Sequence, residues 1–306
     1  EGYEDGAKEY GVTVDVQAMP DPSSRLLELK AGSGSFIKGI LADQRPIVEG
    51  DPKLNLLVKP ASSVGYLAIN VTKPPFDNVL VRRAINHAID KQAILDTILG
   101  GLGTVPNSMI PEWMAEYNAE VEPYEYNPAK AKALLAEAGF PNGFKTELWT
   151  FNVERPFIPN VVQVAEKIEN DLSAVGINAR LSIIDSTVYW KSINTLQHQL
   201  AMKGWYTPPL ADFLIRVARL GAEAATGYPM TSRGKELVAM AAQASQTSDE
   251  KLRNAIYGEI QRIYAEDAPD VPLVHAAYIW AHNKEFKNVS ISPDGLTRFG
   301  EVYYSK

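Results

Sequence analysis

The sequence predicts an α/β protein of two lobes. Three features carry that expectation: the length, the alternation of strand-like and helix-like segments, and a β-α-β spacing in the middle of the chain that favours a parallel sheet. At 306 residues, with 45% hydrophobic and 22% charged side chains, the chain exceeds the ~250 to 300 residues at which a single core usually stops growing. Two compact units are therefore the starting expectation.

Val12 to Val16 alternates like a half-buried strand, and Pro20-Asp21-Pro22-Ser23-Ser24 then breaks it and caps a helix from Arg25 to Ala31. A stretch rich in Gly and Ser over 32–35 leads to a short apolar piece, and Glu49-Gly50-Asp51-Pro52 turns into a strand from Leu54 to Val58. Ser63 to Val71 is mostly apolar, as a strand buried on both faces should be, and ends at Pro74-Pro75. From Asn78 to Leu99, residues Val81, Ile85, Ala88, Ile89, Leu95 and Leu99 form one apolar stripe, which predicts a single amphipathic helix. Gly100-Gly101-Leu102-Gly103 stops it. These glycines end a helix instead of joining strand to helix, and no Lys-Ser or Lys-Thr follows, so they do not read as a phosphate loop.

Chemistry marks both limits of the next helix, Pro128 to Ala138: Asn127 caps it, Pro128 occupies its first turn and Gly139 lies just past its end. Phe144 to Phe151 reads as a strand, Asn160 to Val175 as a helix stopped by Gly176, and Ile177 to Ile184 as the second strand of a β-α-β unit. Thr187 to Gln197 and Lys235 to Ala244 look helical, and Asp249 to Glu266 is a longer helix closed before Pro269. Val271 to Val274 and Tyr278 to Ala281 are separate strand candidates.

Composition removes several function classes. A net charge of -7 with scattered basic residues argues against a nucleic-acid partner, because such binding needs clustered Lys and Arg that release counterions. The absence of Cys excludes a disulfide framework, a thiolate nucleophile and a zinc-cysteine site. No run of about 18 apolar residues occurs, and the opening Glu1-Gly2-Tyr3-Glu4-Asp5 has neither the basic nor the apolar region of a signal peptide. That opening reads as a cut inside a longer chain. His87, His198, His275 and His282 lie too far apart for a metal spacing, and His87, set among Ile85, Ala88 and Ile89, reads as a packing residue. Neither G-x-S-x-G nor H-E-x-x-H occurs. No catalytic residue, metal or cofactor is expected.

Aromatic residues gather at segment ends instead: Trp113, Trp149, Phe151, Tyr189, Trp190, Trp205, Tyr206 and Tyr228 among them. Small-ligand clefts are mostly apolar with a few placed polar groups, which suits such positions. Gly204-Trp205-Tyr206-Thr207-Pro208-Pro209 reads as a binding loop, since nothing local requires its two large aromatics for a core.

Three runs then carry a resemblance. Gly65-Tyr66-Leu67-Ala68-Ile69-Asn70-Val71-Thr72-Lys73-Pro74-Pro75-Phe76-Asp77-Asn78-Val79, continuing through Val81 to Lys91, is one; Tyr126-Asn127-Pro128-Ala129-Lys130 through Gly139-Phe140 is another. The third is Ala265-Glu266-Asp267-Ala268-Pro269 followed by Val271-Pro272-Leu273. Together they resemble the family 5 extracellular solute-binding proteins of ABC transporters, the dipeptide and oligopeptide receptors. The resemblance implies a periplasmic-binding-protein-like α/β fold of the class II, cluster C type, present as one complete lobe plus part of a second. Residues 1–67 with 278–306 would form the partial first lobe and 68–277 the ligand-gripping second, because members are usually longer and the N-terminal portion is missing here.

By the same resemblance, the protein is an extracytoplasmic receptor that passes a peptide or other small organic solute to an importer. Its partners are that ligand and the permease subunits of the transporter. It is a monomer and not an enzyme, and it lies in the periplasm or outside the cell, with lipoprotein tethering one mode of attachment. The family's cleft loop falls on Gly204 to Phe213, making Trp205 the aromatic wall and Tyr206 its neighbour. The acid that meets a ligand's α-amino group falls on Pro208, which carries no charge, while Asp212 lies further along the loop. Asn70, Arg155 and Tyr189 occupy cleft-lining positions, and Arg155 could hold a carboxylate bidentately. Two other readings stay open: a truncated, non-binding fragment of such a receptor, which adding the missing portion in trans would reveal, and a hydrolase on the same scaffold, which a catalytic constellation would reveal.

Overall fold

The computed structural model describes residues 15–206, 225–292, 295 and 299–305. The chain divides into two compact units, residues 1–61 with 277–306 and residues 62–276. The crossings thus lie at 61–62 and 276–277, whereas the family pattern set them at 67–68 and 277–278. The first falls earlier because the whole of the strand that starts at Ser63 pairs inside the larger unit.

In the smaller unit, helix α1 (Pro22–Ala31) begins where Asp21 accepts the amide of Ser24 and ends at Gly32, whose φ of 81° suits a residue without a Cβ. Strand β1 (Phe36–Lys38) follows, then a short helix α2 (Arg45–Glu49) and strand β2 (Leu54–Pro60). The guanidinium of Arg25 ties this unit's loops together by donating to the carbonyls of Met19, Pro20 and Gly39 at 2.7, 2.9 and 3.0 Å. Of the strand expected at Val12 to Val16, residues 12–14 lie outside the described residues, and Asp15 and Val16 are not in a strand.

The larger unit opens with β3 (Ser63–Ile69), all seven residues of which are buried. Helix α3 (Val79–Ala88), capped by Asn78, comes next. The single helix expected through Leu99 is broken: Ile89 adopts an extended conformation, Asp90 caps a new start at α4 (Lys91–Ala93), and a π-helical turn covers Ile94–Ile98. The stripe hid the break because Ile85, Ala88, Ile89, Ile94 and Leu95 remain buried on both sides of it. What makes the break is local chemistry: Asp90 accepts the amide of Ala93 and gives its own amide to Asp171.

The chain continues through β4 (Gly103–Thr104), α5 (Pro128–Glu137), β5 (Phe144–Phe151), α6 (Val161–Ala174), β6 (Ile177–Ile184), α7 (Ser186–Asn194), β7 (Leu200–Tyr206), α8 (Ser232–Gln246) and α9 (Glu250–Asp267). Strand β8 (Asp270–Asn283) closes the unit with its residues 270–276 and then supplies 277–283 to the smaller one. Where two strands were expected, it is one, because His275, Ala276 and Ala277 interrupt only the run of large apolar side chains and not the pairing, which passes from β4 to β2 across them. In the smaller unit residues 277–283 pair antiparallel with β1 and β2, and Phe36, Leu57, Tyr278, Trp280 and Ile291 form its apolar cluster. Strands β9 (Phe286–Lys287) and β10 (Tyr303–Tyr304) make a small ribbon there.

The sheet of the larger unit has the order β8-β3-β7-β5-β6. β3 runs antiparallel to both neighbours, while β7, β5 and β6 run parallel to one another. The parallel pair β5–β6 with α6 between is the β-α-β unit the spacing predicted. Helices α3, α5, α6 and α9 contribute to the same core as the sheet through Ile85, Leu135, Ile168 and Ile260, all buried.

Arg82 is the main polar tie of this unit. It is buried, and donates from Nε to Asp267 O at 2.8 Å and from one terminal nitrogen to Phe76 O and Asp77 O at 2.9 and 3.0 Å, which joins the loop before α3 to the end of α9. Hydrogen bonds made by a charged donor contribute about 1.5–3 kcal/mol each. Arg82→Met keeps the stem and strands three carbonyls, so the unit should lose about 3 kcal/mol or more, read as a lower urea midpoint in tryptophan fluorescence.

Candidate functional site

The carboxyl ends of β5, β6 and β7 point to one edge of the larger unit's sheet, the edge at which open α/β sheets carry their ligands. The residues gathered there are mostly aromatic. Phe151 ends β5, and its ring lies 5.2 Å from Tyr189 and 5.1 Å from Trp190, which α7 presents one turn after its start. Asp185 fixes that start by accepting the amide of Thr187 at 2.9 Å. Trp205 and Tyr206 end β7 in register with Val64 and Ser63 of β3. Tyr206 is 44% exposed, Trp205 and Trp190 are partly buried, and Phe157 packs 5.3 Å from the ring of Tyr206.

A pair of glycines makes this arrangement possible. Gly65 of β3 and Gly204 of β7 face each other across the ladder and leave a bare patch on the sheet. Phe157 fills it: a methyl group on Gly204 would overlap the Phe157 ring, and one on Gly65 would stand 2.5 Å from the Phe157 carbonyl oxygen. The 155–158 turn is pinned by a bridge between Arg155 and Ile158, and beyond it Asn160, at φ 53°, gives its amide to Glu154 and its side-chain amide to Ile98 O. The loop between β5 and α6 is therefore held at three points, and Arg155 is held with it.

Two cations stand among the rings. The Arg155 guanidinium lies 5.9 Å from the Trp190 ring centre. Lys203 Nζ lies 5.2 Å from Trp190 and 5.9 Å from Trp205, with Asn194 Oδ1 3.3 Å away. Such cation–π contacts contribute roughly 0.5–2 kcal/mol each, more as water is excluded. Burial pushes the Tyr206 hydroxyl above its usual pKa, with the charge of Arg155 working in the opposite direction. Tyr206 is thus a neutral hydrogen-bonding group at physiological pH.

Of the expected site residues, the structure brings Trp205, Tyr206, Arg155 and Tyr189 to this edge. Tyr189 is fully buried, with its hydroxyl donating to Met202 O of β7 and lying 3.4 Å from Trp149 O of β5, so it braces the two strands. Asn70 sits past the opposite end of β3, fully buried: its Nδ2 donates to Leu196 O and His198 O at 3.0 and 2.9 Å, and its Oδ1 accepts from Thr72. Asp212 and Pro208 lie outside the described residues. The expected loop at Gly204 to Pro209 needs correction in its first half: Gly204, Trp205 and Tyr206 end a central strand. The strand escaped notice because Lys203 and Gly204 interrupt an otherwise apolar Leu200-Ala201-Met202 run. Phe157 and the glycine slot also went unseen, since a contact between residues 47 apart has no local pattern.

Comparison with known proteins places this geometry in context. The model of the bacterial extracellular solute-binding proteins, family 5 Middle, matches residues 1–216. A dipeptide-binding protein of Escherichia coli is 31% identical over 300 residues, which cover 97% of this chain and 56% of that protein. Heme-binding protein A of Haemophilus influenzae is 31% identical over 285 residues, covering 93% of this chain and 52% of that protein. Among solved structures, the ABC transporter-associated periplasmic binding protein DppA from Helicobacter pylori, in complex with the peptide STSA, superposes with a TM-score of 0.82 at 29% identity, covering 95% of this chain and 56% of that one. The chain spans about half the length of the relatives it matches.

The glycine slot yields a test. Gly204→Ala drives a methyl group into Phe157 and should cost about 1–3 kcal/mol, the usual range for overpacking. In the double variant Gly204→Ala/Phe157→Ala the overlap is gone, so its loss should fall short of the sum of the single losses, measured by urea unfolding of all four proteins.

Proposed function

We propose that this chain, which belongs to the bacterial extracellular solute-binding proteins of family 5, is the ligand-gripping portion of an extracytoplasmic receptor that delivers a peptide or other small organic solute to an ABC importer. The observation that carries this reading is the aromatic edge of the larger unit, where Trp190, Trp205 and Tyr206 remain partly open around Arg155 while the residues beneath them are fully packed. A half-open aromatic surface with a few placed polar groups suits reversible capture of a small molecule.

The roles divide by burial. Trp205 and Tyr206 offer the ligand aromatic faces, and Arg155 offers a planar fork suited to a carboxylate or another anionic group. Tyr189 acts from beneath, holding β7 through the carbonyl of Met202, and Asn70 closes the far end of β3 through the carbonyls of Leu196 and His198, away from the ligand. Pro208 stands where peptide receptors of this family carry an acid, which favours a ligand held without the usual ammonium–carboxylate pair; Asp212, four residues on, is the remaining acid of that segment. Permease subunits of the importer are the proposed protein partners, the working form is a monomer, and lipoprotein tethering is the proposed mode of attachment. The names of the curated relatives are those of binding proteins, which favours capture over a hydrolase on the same scaffold.

Native mass spectrometry of the chain against a panel of di- and tripeptides, each with free and blocked amino ends, tests the reading. The wild type should retain at least one member, preferring blocked ends. Trp205→Ala should then weaken its binding about tenfold or more, a loss of about 1.4 kcal/mol, with circular dichroism unchanged. Unchanged affinity would remove Trp205 from the site, and a wild type that retains nothing would favour the non-binding fragment.

A further inference from the structure

Away from the aromatic edge, the larger unit has a cavity of about 30 Å³ between α3, α9 and β8. Most of its wall is apolar, with Met109, Ile110, Ile260, Ala265 and Pro272 among the lining residues. The polar side chains in that wall are mostly paired. Gln261 uses both ends of its amide, donating to Glu116 O and Tyr257 O and accepting from the Asn118 amide and the Ser108 hydroxyl. Tyr124 donates to Ala265 O, and Tyr264 donates to Asp270 Oδ2. Among the described residues of the wall, Asn86 Oδ1 is the buried side-chain atom left without a hydrogen-bond partner.

The orientation of that amide is fixed by its other end. Asn86 is fully buried, and its Nδ2 donates to Arg82 O, one turn back in α3, at 3.2 Å and to Asp270 O of β8 at 3.0 Å. A primary amide has two N–H donors, and both are used here. Turning the amide over would set Oδ1 against the same two carbonyl oxygens, where neither side has a proton to give, so the hydrogen bonds themselves assign the two atoms. What remains is an acceptor, out of reach of bulk water, on the wall of a cavity. A buried acceptor without a donor is costly, and native structures rarely leave one unmet.

We propose that this cavity is a built hydration site, in which water donates to Asn86 Oδ1 and completes the joint between α3 and β8. The chemistry required is that of a small hydrogen-bond donor, since the unmet atom is an acceptor and Asp270 brings a carboxyl, a further acceptor, to the same wall. The size fits as well. One water needs about 10–15 Å³, so the cavity of about 30 Å³ holds about two. A water that gives one proton to Asn86 has its second for Asp270 or for a neighbouring water, and so meets the minimum of about two polar partners that a buried water requires. The site also accounts for an amide at position 86. A leucine of similar size would suit the apolar surroundings of Ile85 and Ile89 but would give up the bond to Asp270 O that joins helix to strand.

A crystal structure of the full chain at atomic resolution tests the proposal. Density for water should stand about 2.5–3.0 Å from Asn86 Oδ1. Bare space there, with Asn86 and Asp270 well ordered, overturns it. So does a xenon atom taken up in the cavity under gas pressure, because xenon marks cavities that are apolar and dry. In solution, oxygen-17 relaxation dispersion counts long-lived water molecules: the wild type should exceed Asn86→Leu by about one or two, and equal counts in two proteins with the same circular dichroism overturn the proposal. Should Asn86→Leu fail to fold, the wild-type crystal and its xenon derivative decide alone.

Discussion

The complete burial of β3 constrains everything else in the larger unit. A strand with seven consecutive buried residues has no face for water and no free edge, since an unpaired backbone amide or carbonyl in such a place costs roughly as much as a lost hydrogen bond. It must have a strand on each side and apolar cover above and below. β7 and β8 supply the edges, and the helices and the 155–158 turn supply the cover. β7 then has to pair with β5 on its far side, and the order of the sheet follows from the one strand that cannot be exposed.

The same constraint explains where polar groups appear. At its far end β3 meets Asn70, which closes the strand by bonding the carbonyls of Leu196 and His198. Tyr189 reaches the carbonyl of Met202, and Arg82 the carbonyls of Phe76, Asp77 and Asp267. His275 uses its Nδ1 on Ser63 O. These buried side chains thus satisfy main-chain atoms, which are present whatever residue occupies the position. The frame is therefore specified with little dependence on the side chains at the aromatic edge.

This division decided what the sequence could disclose. Helix α5 was legible to within a residue because Asn127, Pro128 and Gly139 state its limits chemically, and β5 and β6 were legible because their period and flanking glycines agree. The α/β class followed from them, and the matches to relatives agree with it. The break at Ile89–Asp90 was hidden because burial continued across it, so hydrophobic periodicity, which records burial, could not register a change of backbone. β7 was hidden for the opposite reason: Lys203 is buried with its ammonium beside two indoles, so a core residue carried a surface residue's signature. At the site, Trp205, Tyr206 and Arg155 were legible as residue types, but the slot that holds their loop was not, because it is made by two absent side chains.

Those absent side chains bear on how the proposed binding edge can vary in sequence. Phe157 is held by shape against the bare backbone of Gly65 and Gly204, with no polar bond required, and Arg155 is carried two residues before it in the same turn. Exchanging the residue at position 155 alters the charge offered to a ligand without touching the wedge, and exchanging 205 or 206 alters the aromatic face without touching the ladder that pairs β7 with β3. Exchanging either glycine disturbs both at once. Variation compatible with folding is thus channelled into the few positions of this edge that face outward.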